Sequence, residues 1–170
     1  MNPILKSIIN KQRTDFEQLS SGRSIPIKVL DGIREEHNIC YKRDGDRAHM
    51  MDMYCPTTVK IPTPVVINVH GGGLIMGNKE FNRHFCINLS KMGFLVFSIE
   101  YRLCPEVTVF QQLEDIYAAM NYIDSLMPQL KAELGHCYMV GDSAGAMLAM
   151  YASAIQRNPR SEERRVGKEC

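Results

Sequence analysis

The chain has 170 residues, 45% of them apolar and 23% charged, with a formal net charge of +1. That is an ordinary globular composition, enough for one domain with a real core, and its charge balance gives no reason to expect nucleic acid as a partner. Lysine and arginine interrupt the apolar pattern from Met1 to Phe16, which argues against a secretory signal, and no later stretch reaches the ~20 apolar residues of a membrane span.

In chain order, Asn2 and Pro3 suit the cap and first position of a helix, and Ile4, Leu5, Ile8, Ile9, Phe16 and Leu19 recur at helical spacing until Ser20-Ser21-Gly22. From Ile25 to about Tyr54 the pattern is short and strand-like, with a turn at Asp44-Gly45-Asp46 and a strand from His49 that Pro56 stops. Val65 to Val69 follows as a strand bounded by Pro62 and Pro64. Phe81, Phe85, Leu89 and Met92 predict a helix ended by Gly93. Phe94 to Ile99 is a nearly continuous apolar run, as expected of a strand covered on both faces. Phe110, Leu113, Ile116, Tyr117, Met120 and Ile123 predict an amphipathic helix that Pro128 punctuates. The strand Cys137 to Val140 then leads into a helix from Ala144 to about Arg157. Strands alternating with helices imply parallel βαβ units in one α/β domain.

Two of these strands empty into motifs that carry chemistry. After Val140 comes Gly141-Asp142-Ser143-Ala144-Gly145, the G-x-S-x-G pattern of a nucleophile elbow, in which a tight strand-to-helix turn pushes a serine oxygen out above the sheet. Small residues are needed at Gly141 and Gly145 because the turn crowds backbone atoms together. After Val69 comes His70-Gly71-Gly72-Gly73, a loop able to present N–H groups to a substrate oxygen with no Cβ in the way. No Lys-Ser or Lys-Thr follows it, so a phosphate cradle is not supported. His70 ends the strand before the loop, which favours a bracing role over that of catalytic base. His37, His49, His84 and His136 read as surface or strand-edge residues, and none has metal-ligand spacing; no metal or cofactor is expected. The six cysteines, at 40, 55, 86, 104, 137 and 170, form no C-x-x-C pair, so free thiols in a reducing, cytoplasmic setting are expected.

With Tyr101-Arg102-Leu103-Cys104-Pro105-Glu106 and Leu113-Glu114-Asp115-Ile116-Tyr117-Ala118-Ala119 between them, these motifs resemble the hormone-sensitive-lipase-like carboxylesterases and lipases of the α/β-hydrolase superfamily. The resemblance runs from about Asp52 to Ala154, with Cys104 and Ala146 as mild departures. It implies an α/β-hydrolase fold, a mostly parallel sheet flanked by helices. It makes Ser143 the catalytic nucleophile, with Gly71, Gly72 and Ala144 as oxyanion-hole donors. The first helix, within residues 1–22, would belong to a cap over the acyl pocket. The expected substrate is a small acyl ester. An amidase or peptidase of the same fold, or a non-catalytic binding module, remain the alternatives.

The family's order of triad residues is serine, then Asp or Glu, then His. After Ser143 this chain has no histidine and no aspartate; its only acids there are Glu162, Glu163 and Glu169. From Arg160 to Cys170 the apolar periodicity is abandoned for a stretch that resembles the in-frame translation of a sequencing-library adapter; a genuine charged tail is the other reading. The expectation is therefore residues 1–159 as the N-terminal part of a single hydrolase domain, lacking its last strands and helices, with 160–170 a non-native tail.

Overall fold

The computed structural model describes residues 2–21, 32–58, 63–130 and 132–156. Its elements are α1 (Pro3–Ser21), β1 (Ile33–Cys40), a 3-10 turn (Arg47–His49), β2 (Met50–Pro56), β3 (Thr63–Val69), α2 (Arg83–Lys91), β4 (Leu95–Ile99), α3 (Val109–Leu130), β5 (Ala132–Gly141) and α4 (Ser143–Gln156). The tail expected at 160–170 lies outside the described residues, as does the side chain of His136.

The five strands form one mixed sheet in the order β1-β2-β4-β3-β5. β3 pairs in parallel with β4 on one side and with β5 on the other, while β2 pairs antiparallel with both β4 and β1. Four strands therefore run one way and β2 alone runs against them, which is the α/β-hydrolase arrangement the motifs imply. Inserting α2 between β3 and β4, and α3 between β4 and β5, gives the two parallel crossovers.

Alternation along the strands divides the interior into two layers. Met51, Met53, Val65, Ile67, Val69, Leu95, Phe97 and Ile99 point to the face covered by α3 and α4. Tyr54, Val66 and Val96 point to the opposite face, where Cys86 and Ile87 of α2 meet them. Each such side chain taken fully out of water contributes roughly 1.5–3 kcal/mol. At the ends nearest the loops, the α2 face turns polar: Asp52, Asn68 and Ser98 are buried there among hydrogen-bond partners rather than hydrocarbon.

The helices form where their periodicity predicts, and α3 buries Leu113, Ile116 and Ile123 of its expected stripe, but α1 and α2 turn much of theirs outward. In α2 the buried residues are Cys86, Ile87 and Ser90, whereas Phe85 is exposed and Met92 is 74% exposed. Cys86, Ile87 and Ser90 face β2 and β4, Leu89 packs half-buried against that cluster, and Phe85 and Met92 are turned outward. α2 ends in a Schellman motif: Gly93 N–H donates to Ser90 O at 2.9 Å and Phe94 N–H to Leu89 O at 3.3 Å, with Gly93 at φ 98°. In α3, Phe110 is 79% exposed and the buried stripe includes the polar Gln112 and Asp115. That helix also runs two residues past Pro128 instead of stopping there. α1 begins as expected, with Ile4 N–H donating to Asn2 Oδ1 at 2.9 Å, yet Ile4, Leu5 and Ile8 face solvent and Ile9 is buried.

One histidine differs from expectation. His49 is buried, not at a surface, because the 3-10 turn tucks it under Tyr41 with Asp44 Oδ2 at 2.7 Å from Nδ1 and Asp115 Oδ1 at 2.9 Å from Nε2.

Candidate active site

The three parallel strands β3, β4 and β5 end at one edge of the sheet, and the candidate residues gather there. β5 delivers Gly141 beside Val69, the last residue of β3. Two residues on, Ser143 takes φ 48°, a left-handed conformation uncommon for a side chain with a Cβ, and it is exposed. The turn is held by Asp142 O, which accepts from Gly145 N–H at 2.8 Å and Ala146 N–H at 3.3 Å. A Cβ on Gly141 would lie 2.6 Å from the Gly145 carbonyl carbon and 2.7 Å from Val69 O. A Cβ on Gly145 would fall on the backbone oxygens of Val69 and His70. The two glycines are thus what allow β3, the elbow and α4 to meet.

His70 ends β3 fully buried. Its Nδ1 lies 2.8 Å from Gly71 O and its Nε2 lies 3.0 Å from Glu100 Oε1. Its ring stacks on Tyr101, with centroids 4.3 Å apart and planes 11° from parallel, and Tyr101 O–H donates to His70 O at 2.7 Å. Burial pushes the Tyr101 phenol well above its ordinary range, so it acts as a neutral donor. With both ring nitrogens engaged, His70 braces the loop. His49 lies between Asp44 and Asp115, and His37 between Glu35 and Asp52.

The glycine loop and the elbow are tied directly. Asp142 Oδ1 accepts from Gly71 N–H at 3.1 Å and from Asn82 Nδ2 at 2.7 Å. Behind this link lies a run of buried polar groups. Asn82 Nδ2 also reaches Asn68 Oδ1 at 3.4 Å, Asn68 Nδ2 donates to Ser98 Oγ at 3.1 Å, and Ser98 O–H donates to Lys79 O at 2.7 Å. Lys79 N–H in turn donates to Glu100 Oε2 at 3.0 Å, and Glu100 returns to His70. The polar residues that interrupt the strands' apolar runs therefore close a ring around the His70–Gly71 bend. Lys79 is held charged there. Burial works against the ammonium, but bonds to Glu80 and Asp52 outweigh it and raise it above its ordinary range.

The structure brings Ser143, Gly71, Gly72 and Ala144 to the same edge, but Gly71 differs from its expected part. Its N–H is committed to Asp142, so the unengaged N–H groups of the loop, among the described residues, are those of Gly72 and Gly73. Gly72 (φ 117°) and Gly73 (φ 62°) both adopt backbone angles that favour glycine. Ala144 N–H is the second of α4, where no intrahelical acceptor exists. Sequence reasoning missed Gly73, Asp142, Asn82 and Glu100. Only Asp142, lodged inside the G-x-S-x-G pattern beside the serine, carried a local signal of involvement. A cleft of about 1030 Å³ opens beside this edge, bordered by Arg13, Phe81, Asn78, Glu100 and Tyr101 among others; Ser143 does not line it.

What this arrangement can do chemically is stabilise negative charge next to an exposed hydroxyl. A sequence model described as BD-FAE matches residues 51–168. Esterase B from Lactobacillus rhamnosis, solved with a tributyrin phosphonate inhibitor, superposes with a TM-score of 0.86 at 27% identity, covering 96% of this chain and 53% of that one. The non-reducing polyketide synthase Preu3 of Preussia isomera is 28% identical over 162 residues, 89% of this chain and 6% of the synthase. A probable isoprenylcysteine alpha-carbonyl methylesterase of Oryza sativa subsp. japonica is 30% identical over 121 residues, 71% of this chain and 29% of that protein. The chain thus spans about half the length of the esterase it superposes on and a smaller share of the curated relatives it matches.

Proposed function

This chain belongs to the BD-FAE family, within the carboxylesterase group of α/β-hydrolases, and on that footing we propose that it carries the nucleophile and oxyanion hole of a serine carboxylesterase acting on short-chain esters. The observation that carries the reading is the exposed Ser143 at φ 48° between a parallel strand and a helix, tied through Asp142 to a glycine loop with unengaged N–H groups. Ser143 Oγ attacks the ester carbonyl carbon while a base takes its proton. The carbonyl oxygen becomes an oxyanion facing the N–H groups of Gly72, Gly73 and Ala144. Collapse expels the alcohol, which receives the proton, and leaves an acyl-serine that water cleaves by the same route.

Each oxyanion donor is worth roughly 3–4 kcal/mol in the transition state, because it is aimed in advance at charge that develops only there. The α4 N-terminal dipole adds to the same field. Of the described histidines, His37 and His49 each lie between two carboxylates and His70 is held by Gly71 O and Glu100, so none of these three is assigned as the base. The test uses the full-length protein with p-nitrophenyl butyrate. Ser143→Ala should lower turnover by several orders of magnitude, on the order of 10⁶-fold where the nucleophile of an intact triad is removed. Turnover retained within tenfold would show that Ser143 is not the nucleophile.

A further inference from the structure

α1 touches the rest of the molecule sparingly. Of its described apolar side chains Ile9 is buried, Ile4, Leu5 and Ile8 are exposed, and Phe16 meets Phe81 at a ring separation of 4.8 Å. Against that thin contact stands one dense attachment. Arg13 Nε donates to Ile75 O at 2.7 Å, Nη2 donates to Cys104 O at 2.8 Å, and Nη1 and Nη2 reach the two oxygens of Glu106 at 3.1 and 2.7 Å. A planar guanidinium serves two carbonyls and a carboxylate at once, which a lysine ammonium cannot match.

Ile75 belongs to the turn that shapes the glycine loop. Ile75 N–H and Met76 N–H both donate to Gly72 O, at 3.2 and 3.0 Å. Between Gly73 and Ile75, Leu74 holds φ 69°, a conformation that persists for a residue with a Cβ only where its surroundings over-determine it. The surroundings do so through two successive carbonyls. Leu74 O accepts from Cys104 N–H at 2.9 Å and from Gln112 Nε2 at 3.0 Å, and Ile75 O accepts from Arg13. Arg13 also holds Cys104 O, on the same residue whose N–H grips Leu74. It therefore secures the loop from both sides.

We propose that Arg13 is a positioning residue for the oxyanion donors: its hold on Ile75 and Cys104 fixes the turn that aims the Gly72 and Gly73 N–H groups, so the docking of α1 sets the strength of the hole. The inference rests on the reading of this loop as the oxyanion hole of an acyl-transfer site. A donor moved by less than an ångström loses transition-state stabilisation while hardly changing ground-state binding, so the effect belongs in kcat rather than KM.

The test measures kcat and KM for p-nitrophenyl butyrate on the full-length protein and its Arg13→Ala, Arg13→Lys and Ser143→Ala variants. Arg13→Ala should lower kcat by roughly tenfold to a hundredfold with KM changed less than threefold. Arg13→Lys, which keeps the charge beside Glu106 but cannot span both carbonyls, should lower kcat by roughly threefold to tenfold. If Arg13→Ala gives no cooperative melt, Arg13→Lys decides alone. An unchanged kcat, or a loss confined to KM, overturns the proposal and leaves α1 as a roof only. Ser143→Ala separates the two failures: if that variant stays active, the acyl-transfer reading itself falls and this inference with it.

Discussion

A Cβ at Gly145 would fall on Val69 O and His70 O, atoms fixed by the sheet and by the Tyr101 hydrogen bond, so neither can yield cheaply. Gly145→Ala should therefore push α4 and the elbow away from the His70 loop, destabilising the fold by about 1–3 kcal/mol, as over-packing usually does. The same displacement separates Ser143 from the Gly72 and Gly73 N–H groups. Activity of the full-length variant should fall at least a hundredfold, since ~10² is the usual cost of an ångström-scale misplacement. Chemical denaturation and p-nitrophenyl butyrate turnover check the two halves separately. Stability lost with turnover intact would show that the elbow and loop are not mutually positioned through Gly145. Ser143 shows the same logic from the other side: a left-handed φ is tolerated where glycines on both flanks and Asp142 leave the chain no alternative.

At the scale of elements, α3 is locked to the β4 end by a buried carboxylate. Asp115 accepts from Arg102 Nε and Nη2, both at 2.7 Å, and from Arg102 N–H at 3.2 Å, with His49 Nε2 at 2.9 Å. Burial alone would push the Asp115 carboxyl up, but these bonds hold it below its ordinary value of 3.8. A depressed folded-state value means the carboxylate's contribution is complete above the unfolded value and is lost as pH falls through the folded one. Stability should therefore fall off only below about pH 4 on this account. Arg102→Ala removes the two guanidinium hydrogen bonds and leaves the buried carboxylate with the backbone N–H of residue 102, His49 and, at 3.4 Å, Lys42 Nζ, so it should cost up to about 3 kcal/mol at neutral pH. It should also flatten the acid limb of the stability profile. Urea midpoints between pH 3 and 7 check both; an Arg102→Ala curve parallel to wild type would mean that Asp115 is not held ionised by Arg102.

For the molecule as a whole, the sheet's two sides are unequal. β3 and β4 have neighbours on both edges, whereas β5, among the described residues, pairs with β3 only. Beside it Tyr138, Met150, Tyr151 and Ile155 are exposed. An open parallel-strand edge with apolar neighbours is a template for association. Residues 1–170 expressed alone should therefore run as associated species by light scattering. A monodisperse monomer with a sharp cooperative melt would contradict that expectation. No helix among the described residues is long and apolar enough to cross a membrane.

The sequence by itself determined the parts that short-range rules govern. The order of strands and helices, the Asn2 cap, the Gly93 stop and the two glycine motifs at strand ends were all legible, because each depends on neighbours within a few residues. Tertiary structure decided what those parts do to one another. Phe85, Met92 and Phe110 satisfy helical spacing yet face outward, since periodicity names a stripe but only the opposing sheet, here admitting Cys86 and Ile87 closely, chooses it. His49 reads as a strand edge until Asp115, sixty-six residues away, closes over it. Gly71 reads as a free donor until Asp142, seventy-one residues on, takes its N–H. Arg13 reads as one more charge on a helix face until the fold lays it against Ile75, Cys104 and Glu106. A hydrogen bond between residues so far apart leaves no period, spacing or composition in the chain, because its partners are chosen by the fold that brings them together.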